Sequence, residues 1–253
     1  MTSPAKHLVR RAFDRAAATY DSAAEVQRHA CRQLAANLPQ QGACRIACDA
    51  GCGTGFGLRL LAERLPQARL VALDLAPAML LRANAPWAVA GDLEHLPLAD
   101  ACLDLLWSSL TAQWCNLDRT IPEMARVLKP GGHLALATLG PRTFAELGQA
   151  FTAGDRHVHT LTFAPAIEIS QRLSKNGFSA ISVGAELHIT HHPDLQRLLR
   201  SVKAIGANQL GSDRRRGLMT RAAFSRVEAA YEQLRQPQGL PLGYDLIFIH
   251  ATR

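Results

Sequence analysis

The stretch Cys44-Arg45-Ile46-Ala47-Cys48-Asp49-Ala50-Gly51-Cys52-Gly53-Thr54-Gly55 decides how this chain folds. An apolar run leads into a carboxylate and three glycines spaced GxGxG, and a helix-forming stretch, Phe56 to Leu65, follows at once. Strand, glycine turn and helix in that order make the ligand-binding corner of a doubly wound α/β sheet. Glycine lets the backbone turn tightly and lets a ligand approach where a Cβ would stand in the way. The spacing is not the G-x-G-x-x-G of a nicotinamide site, and a glycine turn alone fits many nucleotide binders.

Three further signals narrow the choice. Leu70-Val71-Ala72-Leu73-Asp74 is an apolar strand ending in a carboxylate. It lies about 20 residues past the loop, where an acid accepts hydrogen bonds from ribose hydroxyls. Gly91-Asp92-Leu93 follows a third apolar run, and its carboxylate suits the exocyclic amine of adenine. Leu103-Asp104-Leu105-Leu106-Trp107-Ser108-Ser109 reads as a fourth strand. A helix from about Asp118, a Lys129-Pro130-Gly131-Gly132 turn and a strand from His133 to Thr138 come after it.

From Gly42 to Thr138 these features together resemble the class I S-adenosylmethionine-dependent methyltransferases. The resemblance implies S-adenosyl-L-methionine as cofactor, S-adenosyl-L-homocysteine as product, and no metal. It places Asp49, Gly51, Gly53, Gly55, Asp74, Leu75, Asp92, Leu93 and Ser108 around the cofactor.

Composition sets the bounds. With 253 residues, 48% of them hydrophobic, the chain has enough apolar material for one α/β core with an insertion. No run of about 18 apolar residues occurs, so no membrane span is expected. Met1 to Arg11 has no apolar core of a secretory signal, which points to a cytoplasmic protein. The six cysteines form no CxxC pair and read as free thiols in a reducing compartment. The net charge of +7 speaks to partners, such as nucleic acid, an anionic surface or an acidic protein, and not to fold.

Along the chain, Lys6 to Tyr20 and Ala23 to Leu38 read as two helices, forming an N-terminal cap over 1–41. Strands are expected near 44–49, 69–73, 87–90, 103–107 and 133–138, then Phe178 to Ile189 and Gly243 to Ala251. Helices open at Pro141-Arg142 and at Pro165, the second ending near Asn176-Gly177. The expected architecture is a doubly wound, seven-stranded, mostly parallel sheet, with a core of 42–192 and 242–253. A helical insertion over 193–241 separates the last two strands. In this family the sixth strand runs with the first five and the seventh runs back, so the insertion starts and ends at the carboxyl edge, where ligands bind. It is therefore expected to be a lid on the substrate side.

That insertion is basic. Arg200 and Lys203 stand three apart on one helix face, and Arg197 joins them. Asp213-Arg214-Arg215-Arg216, Arg221 and Arg226 follow. A narrower resemblance rests on Phe13-Asp14-Arg15-Ala16-Ala17-Ala18-Thr19-Tyr20-Asp21 with Ala24 and Gln27, on Ala112-Gln113-Trp114-Cys115, and on Leu198 to Ala207. These are similar to the malonyl-[acyl-carrier protein] O-methyltransferase (BioC) family of biotin synthesis. The family's reaction methylates the free carboxylate of a malonyl thioester on acyl-carrier protein, an acidic partner. Arg200 or Lys203 would hold the carboxylate, Tyr20 would cover the reactive methyl, and Trp114 and Arg197 would face the substrate. Ala50 departs from the larger apolar residue that the family commonly has there. His157 and His159 match nothing in the pattern, and Leu187-His188-Ile189-Thr190-His191-His192 reads as the end of a strand rather than a metal site.

Three alternatives stand beside this reading. A methyltransferase of another small acid or of a quinone would need a base for a carbon nucleophile, and no candidate is apparent. RNA methylation lacks an appended RNA-binding module. It also lacks an Asn-Pro-Pro-Tyr-like motif, Ser108-Ser109-Leu110-Thr111 standing in that place. A methyltransferase-fold assembly factor acting on a protein partner in mitochondria would carry an arginine- and serine-rich presequence, which the N-terminus does not resemble.

Overall fold

A computed structural model describes residues 5–38, 44–153, 162–204 and 220–253. Seven strands form one sheet in the order β3-β2-β1-β4-β5-β7-β6. They are β1 (Ile46–Ala50), β2 (Arg69–Asp74), β3 (Ala88–Ala90), β4 (Leu103–Ser109), β5 (Leu128–Leu139), β6 (Ser179–His192) and β7 (Leu240–Thr252). The first five are mutually parallel, and β7 runs antiparallel between β5 and β6. The chain reverses direction of winding between β1 and β4, so both central strands end beside the crevice where such sheets bind ligands.

The runs that gave no alternating pattern in the sequence are buried on both faces, as parallel strands are. Ala47, Leu105, Trp107, Ala135 and Ala137 point into one layer. Cys48, Leu106, Leu134 and Leu136 point into the other. The first layer is closed by α3 (Glu25–Ala36) through Val26, Ala30 and Leu34, and by α4 (Phe56–Arg64) through Leu61. Leu147 of α7 (Ala145–Phe151) completes it. The second is closed by α6 (Leu117–Val127) through Ile121 and Met124, and by α8 (Ala166–Lys175) through Ile169 and Leu173. The short α5 (Pro77–Ala83) follows β2 and buries Met79.

Three local readings change. The Lys129-Pro130-Gly131-Gly132 turn is a bulge inside one long strand, because Leu103 pairs with Leu128 and Leu105 pairs with His133. Gly131 takes φ +77°, open to glycine at no steric cost. Its N–H donates to the Arg253 carbonyl at 2.7 Å, so β5 keeps its partner through the bulge. The first predicted helix, Lys6 to Tyr20, ends early as α1 (Lys6–Ala16), and a separate short helix, α2 (Tyr20–Ala23), stands before the second. There the Ser22 hydroxyl donates to the Thr19 carbonyl at 2.6 Å, competing with a helical bond. β6 and β7 are longer than expected and pair from Ser179↔Thr252 to His192↔Leu240. Gly42, the expected start of the sheet, falls outside the described residues, as do His157, His159 and Asp213 to Arg216.

The segment between β6 and β7 leaves and returns at one register position at the carboxyl edge, His192 opposite Leu240. Two helices are described in it, α9 (Leu195–Ala204) and α10 (Arg221–Glu232). Leu195, Leu198, Val227 and Tyr231 are fully buried in the first core layer, so these helices are fastened to the sheet. The Tyr231 hydroxyl donates to the Pro241 carbonyl at 2.8 Å, satisfying its one buried polar group. All six cysteines are free; Cys31, Cys48 and Cys52 are buried and the others half-buried. Among the described residues no helix is long and apolar enough to cross a membrane.

Candidate active site

A cleft lies at the carboxyl end of β1, where the glycine loop meets α2 and α3. It is lined by Tyr20, Gln27, Arg28, Asp49, Gly51 and Gly53, among others. The loop is pinned from beneath. Gly51 and Cys52 donate to the Leu73 carbonyl at 2.7 and 3.0 Å, and Gly53 donates to Asp74 Oδ2 at 2.9 Å. It is pinned from above by Thr54, whose hydroxyl donates to Asp21 Oδ1 of α2 at 2.5 Å.

The polar atoms of the cleft are short of partners. Asp49 Oδ2 and Gln27 Oε1 are buried with no hydrogen bond among the described residues, and Ser109 Oγ has only the Cys31 thiol beside it. Buried polar atoms are nearly always paired, so orphans converging on one cleft indicate a polar ligand. Trp107 Nε1 is also unpaired and lies beside Asp49. A Cβ on Gly57 would fall 2.5 Å from Asp49 Oδ2 and 3.0 Å from that indole nitrogen. Burial, the nearby Asp74 charge and a weaker opposing bond from the Leu58 backbone leave the Asp49 carboxyl pushed up to about 8. Such a group suits a cationic ligand, whose arrival favours the ionised form.

The sequence-derived residues divide by position. Asp49, Gly51, Gly53 and Tyr20 meet in the cleft, and the Tyr20 ring stands 3.8 Å from where a Cβ on Gly53 would be. Gly55, at φ +84°, caps α4. Asp74 is one layer down, its Oδ1 accepting from Ala76 N at 2.8 Å; burial raises its carboxyl and the backbone donors draw it back. Leu75 is half-buried beside it, and Leu93 is buried at 3% exposure. Asp92 is engaged by Lys6, with 3.0 Å between Oδ1 and Nζ. Ser108 is fully buried and its hydroxyl donates to the Ala50 carbonyl at 2.7 Å, so Ser109 and not Ser108 reaches the cleft. Trp114 is 7% exposed and meets Phe13 edge-on at 5.9 Å.

Arg197, Arg200 and Lys203 are all exposed on α9 and stand outside the cleft lining. Arg197 pairs with Asp194 at 3.6 Å. Arg200 and Lys203 have no ionic or hydrogen-bond partner among the described residues. α9 packs against α2, which carries Tyr20. At the end of β6, His188 groups with His29 and Glu186, with His29 Nε2 and Glu186 Oε1 2.9 Å apart. His191 bonds Gln236, and His192 bonds Thr190.

Arg28 was not singled out in the sequence, yet it lines the cleft, its Nη1 donating to the Asp21 carbonyl at 2.5 Å. The signal lies in helical spacing: Gln27, Arg28 and Cys31 share one face of α3 with its N-cap, Ala24. Two long polar residues interrupt an otherwise apolar face there, which marks a ligand wall more than a core.

Comparison with known proteins agrees with this geometry. Residues 48–136 match the Methyltransferase domain family model. A Malonyl-[acyl-carrier protein] O-methyltransferase of Dechloromonas aromatica (strain RCB) is 53% identical over 253 residues, covering 100% of this chain and 96% of that one. Among solved structures, the YcgJ protein from Bacillus subtilis superposes with a TM-score of 0.61 at 15% identity, covering 89% of this chain and 98% of its own. A Haemonchus contortus phosphoethanolamine N-methyltransferase 2 in complex with S-adenosyl-L-methionine gives a TM-score of 0.58 at 15% identity, over 95% of this chain and 57% of that one. The structural matches establish the fold, and the full-length identity establishes the narrower kinship: the chain belongs to the malonyl-[acyl-carrier protein] O-methyltransferase family.

Proposed function

We propose that this chain transfers a methyl group from S-adenosyl-L-methionine to the free carboxylate of a malonyl thioester carried on acyl-carrier protein. The observation that carries the reading is identity at 53% across the whole length, the cap and the segment between β6 and β7 included. The methyl ester hides a charge, so that fatty-acid-type elongation can build the pimeloyl chain of biotin.

The cleft fits the cofactor on its own chemistry. Asp49 offers an orphaned carboxylate oxygen to an ammonium, Arg28 a guanidinium to a carboxylate, and the glycine loop a surface without side chains. Asp74, Leu75, Asp92 and Leu93 would frame the ribose and adenine. Bound there, the cofactor supplies an electrophilic methyl group on a sulfonium. A carboxylate acceptor is ionised at neutral pH and needs no general base, which suits a cleft with no acid–base dyad among its described lining residues. The residues' work is then orientation and exclusion of water. Tyr20, over the glycine loop, would close the cofactor from solvent, and Trp114 would wall the acyl side.

The chain is read as a cap (1–41), a core, and a lid between β6 and β7. Arg197, Arg200 and Lys203 form the lid's basic ridge, on the helix that packs against α2. There they would attract the acidic carrier and, through Arg200 or Lys203, hold the malonyl carboxylate. Rim charges act mainly on association and are screened by salt. Arg200→Glu with Lys203→Glu is therefore expected to raise KM for malonyl-acyl-carrier protein about tenfold or more at low salt. Binding of S-adenosylhomocysteine by calorimetry should stay unchanged. An unaltered KM would remove the ridge from substrate recognition.

A further inference from the structure

The adenine side of the proposed site contains a contact that the glycine-loop motifs do not include. Lys6, in the first turn of α1, reaches across to the loop after β3. Its Nζ lies 3.0 Å from Asp92 Oδ1, 2.8 Å from Glu94 Oε1 and 3.3 Å from Cys115 Sγ. Asp92, Glu94 and Cys115 have the spacing of a cation site, and the cation there is this ammonium. Burial pulls the Lys6 pKa down, but the surrounding Cys115, Glu94 and Asp92 groups outweigh it and hold it above its usual range.

The loop is built around that ammonium. Glu94, 7% exposed, accepts the backbone N–H of Asn116 at 2.8 Å, and Asn116 caps α6. Asp92 Oδ1 also accepts the Glu94 N–H at 3.0 Å. Both bonds of Asp92 fall on Oδ1, and Oδ2 has no partner among the described residues. One oxygen is thus fixed and the other is left to accept from a ligand. α1 also reaches α5, the helix after β2, where Asp14 Oδ1 accepts the Ala78 N–H at 3.1 Å. The helix therefore roofs the carboxyl ends of both β2 and β3.

We propose that Lys6 is a positioning residue for adenine recognition: it locks Asp92 through Oδ1 so that Oδ2 is aimed to accept the exocyclic amine of the cofactor. This rests on the reading of Asp92 as the adenine acceptor. An amine at the 6-position donates to that oxygen, whereas a 6-oxo group meets a carboxylate with no proton between them. Losing a hydrogen bond to a charged group corresponds to roughly 10- to 100-fold in affinity.

The test is the affinity ratio for S-adenosyl-L-homocysteine over S-inosyl-L-homocysteine, measured by calorimetry. The wild-type chain, Lys6→Met and Asp92→Asn would be compared, each checked for folding by thermal unfolding. Methionine keeps the length and apolar stem of lysine without the charge. The wild type is expected to prefer adenine at least about tenfold, and Lys6→Met to cut that preference to within about threefold. Asp92→Asn, whose amide can donate to a 6-oxo group, should abolish or invert it. If Lys6→Met weakens both ligands equally and leaves the ratio intact while Asp92→Asn abolishes it, Lys6 merely tethers the cap and the proposal is overturned. If Asp92→Asn keeps the preference, the assignment of Asp92 fails, and the role of Lys6 with it.

Discussion

Gly51→Ala is expected to abolish detectable cofactor binding, a loss of at least about 100-fold. Gly51 sits at φ +83°, where an L-residue costs about 1–2 kcal/mol. The added Cβ would overlap the Thr111 side chain at Oγ1, Cγ2 and Cβ. Thr111 cannot simply move, because its hydroxyl donates to the Ser109 carbonyl at 3.2 Å and its carbonyl accepts from Trp114 N at 3.0 Å. The loop must shift instead, and it is held by the two bonds to Leu73 that shape the cleft floor. Calorimetric titration with S-adenosylhomocysteine reads the loss. Adding Thr111→Gly to the variant should recover part of the affinity by removing the overlap while leaving the backbone strain. Wild-type affinity in Gly51→Ala alone would mean that the loop does not carry the ligand.

The second large effect belongs to Asp49. Its carboxyl is pushed up to about 8 by burial, with Asp74 adding to the shift. A ligand ammonium beside it favours the ionised form, so affinity should climb as pH rises from about 6 toward 8. It should fall again where the cofactor's own α-ammonium loses its proton, near 8 for a typical α-amino group. Asp49→Asn is expected to lose the rising limb, keep the falling one, and weaken binding at pH 8 by about 100-fold, as for an unpaired charged hydrogen bond. The same shift has a sign in stability. A carboxyl whose folded pKa is raised binds its proton more tightly in the folded chain. Its contribution is fully present below the unfolded value near 4 and is lost as pH rises through about 8. Without ligand, the Tm of the wild type should therefore fall relative to Asp49→Asn between pH 5 and 8. Comparison with the variant cancels the half-buried histidines, such as His133, held down to about 4 by burial and the nearby His250.

Much of this site is written locally in the chain. A glycine loop must follow its strand directly, so Asp49, Gly51 and Gly53 could be placed from spacing alone, and the register of β1 with β2 and β4 puts them at the sheet edge. The parallel strands were legible as unbroken apolar runs because both faces are covered. What stayed hidden depends on distant partners. Pro130-Gly131-Gly132 looks like a turn until Arg253, at the other end of the chain, pairs across the bulge. Ser108 and Ser109 are adjacent and chemically alike, and only the pleat of β4 decides which faces the cleft. Lys6 is one lysine among many basic residues, and its carboxylates lie more than eighty positions away. Arg28 was within reach, since Gln27 and Arg28 interrupt the helical face on which Ala24 and Cys31 stand.

The activity is tested most directly by transfer of radiolabelled methyl from S-adenosyl-L-methionine to malonyl-acyl-carrier protein, with acetyl-acyl-carrier protein as control. The two acceptors differ in the free carboxylate and share the carrier. Label is expected on the malonyl form alone, released by mild base as a methyl ester. Equal label on both would place the methyl on the carrier itself. No label on either, with S-adenosylhomocysteine still bound, would contradict the proposed acceptor while leaving the cofactor cleft in place.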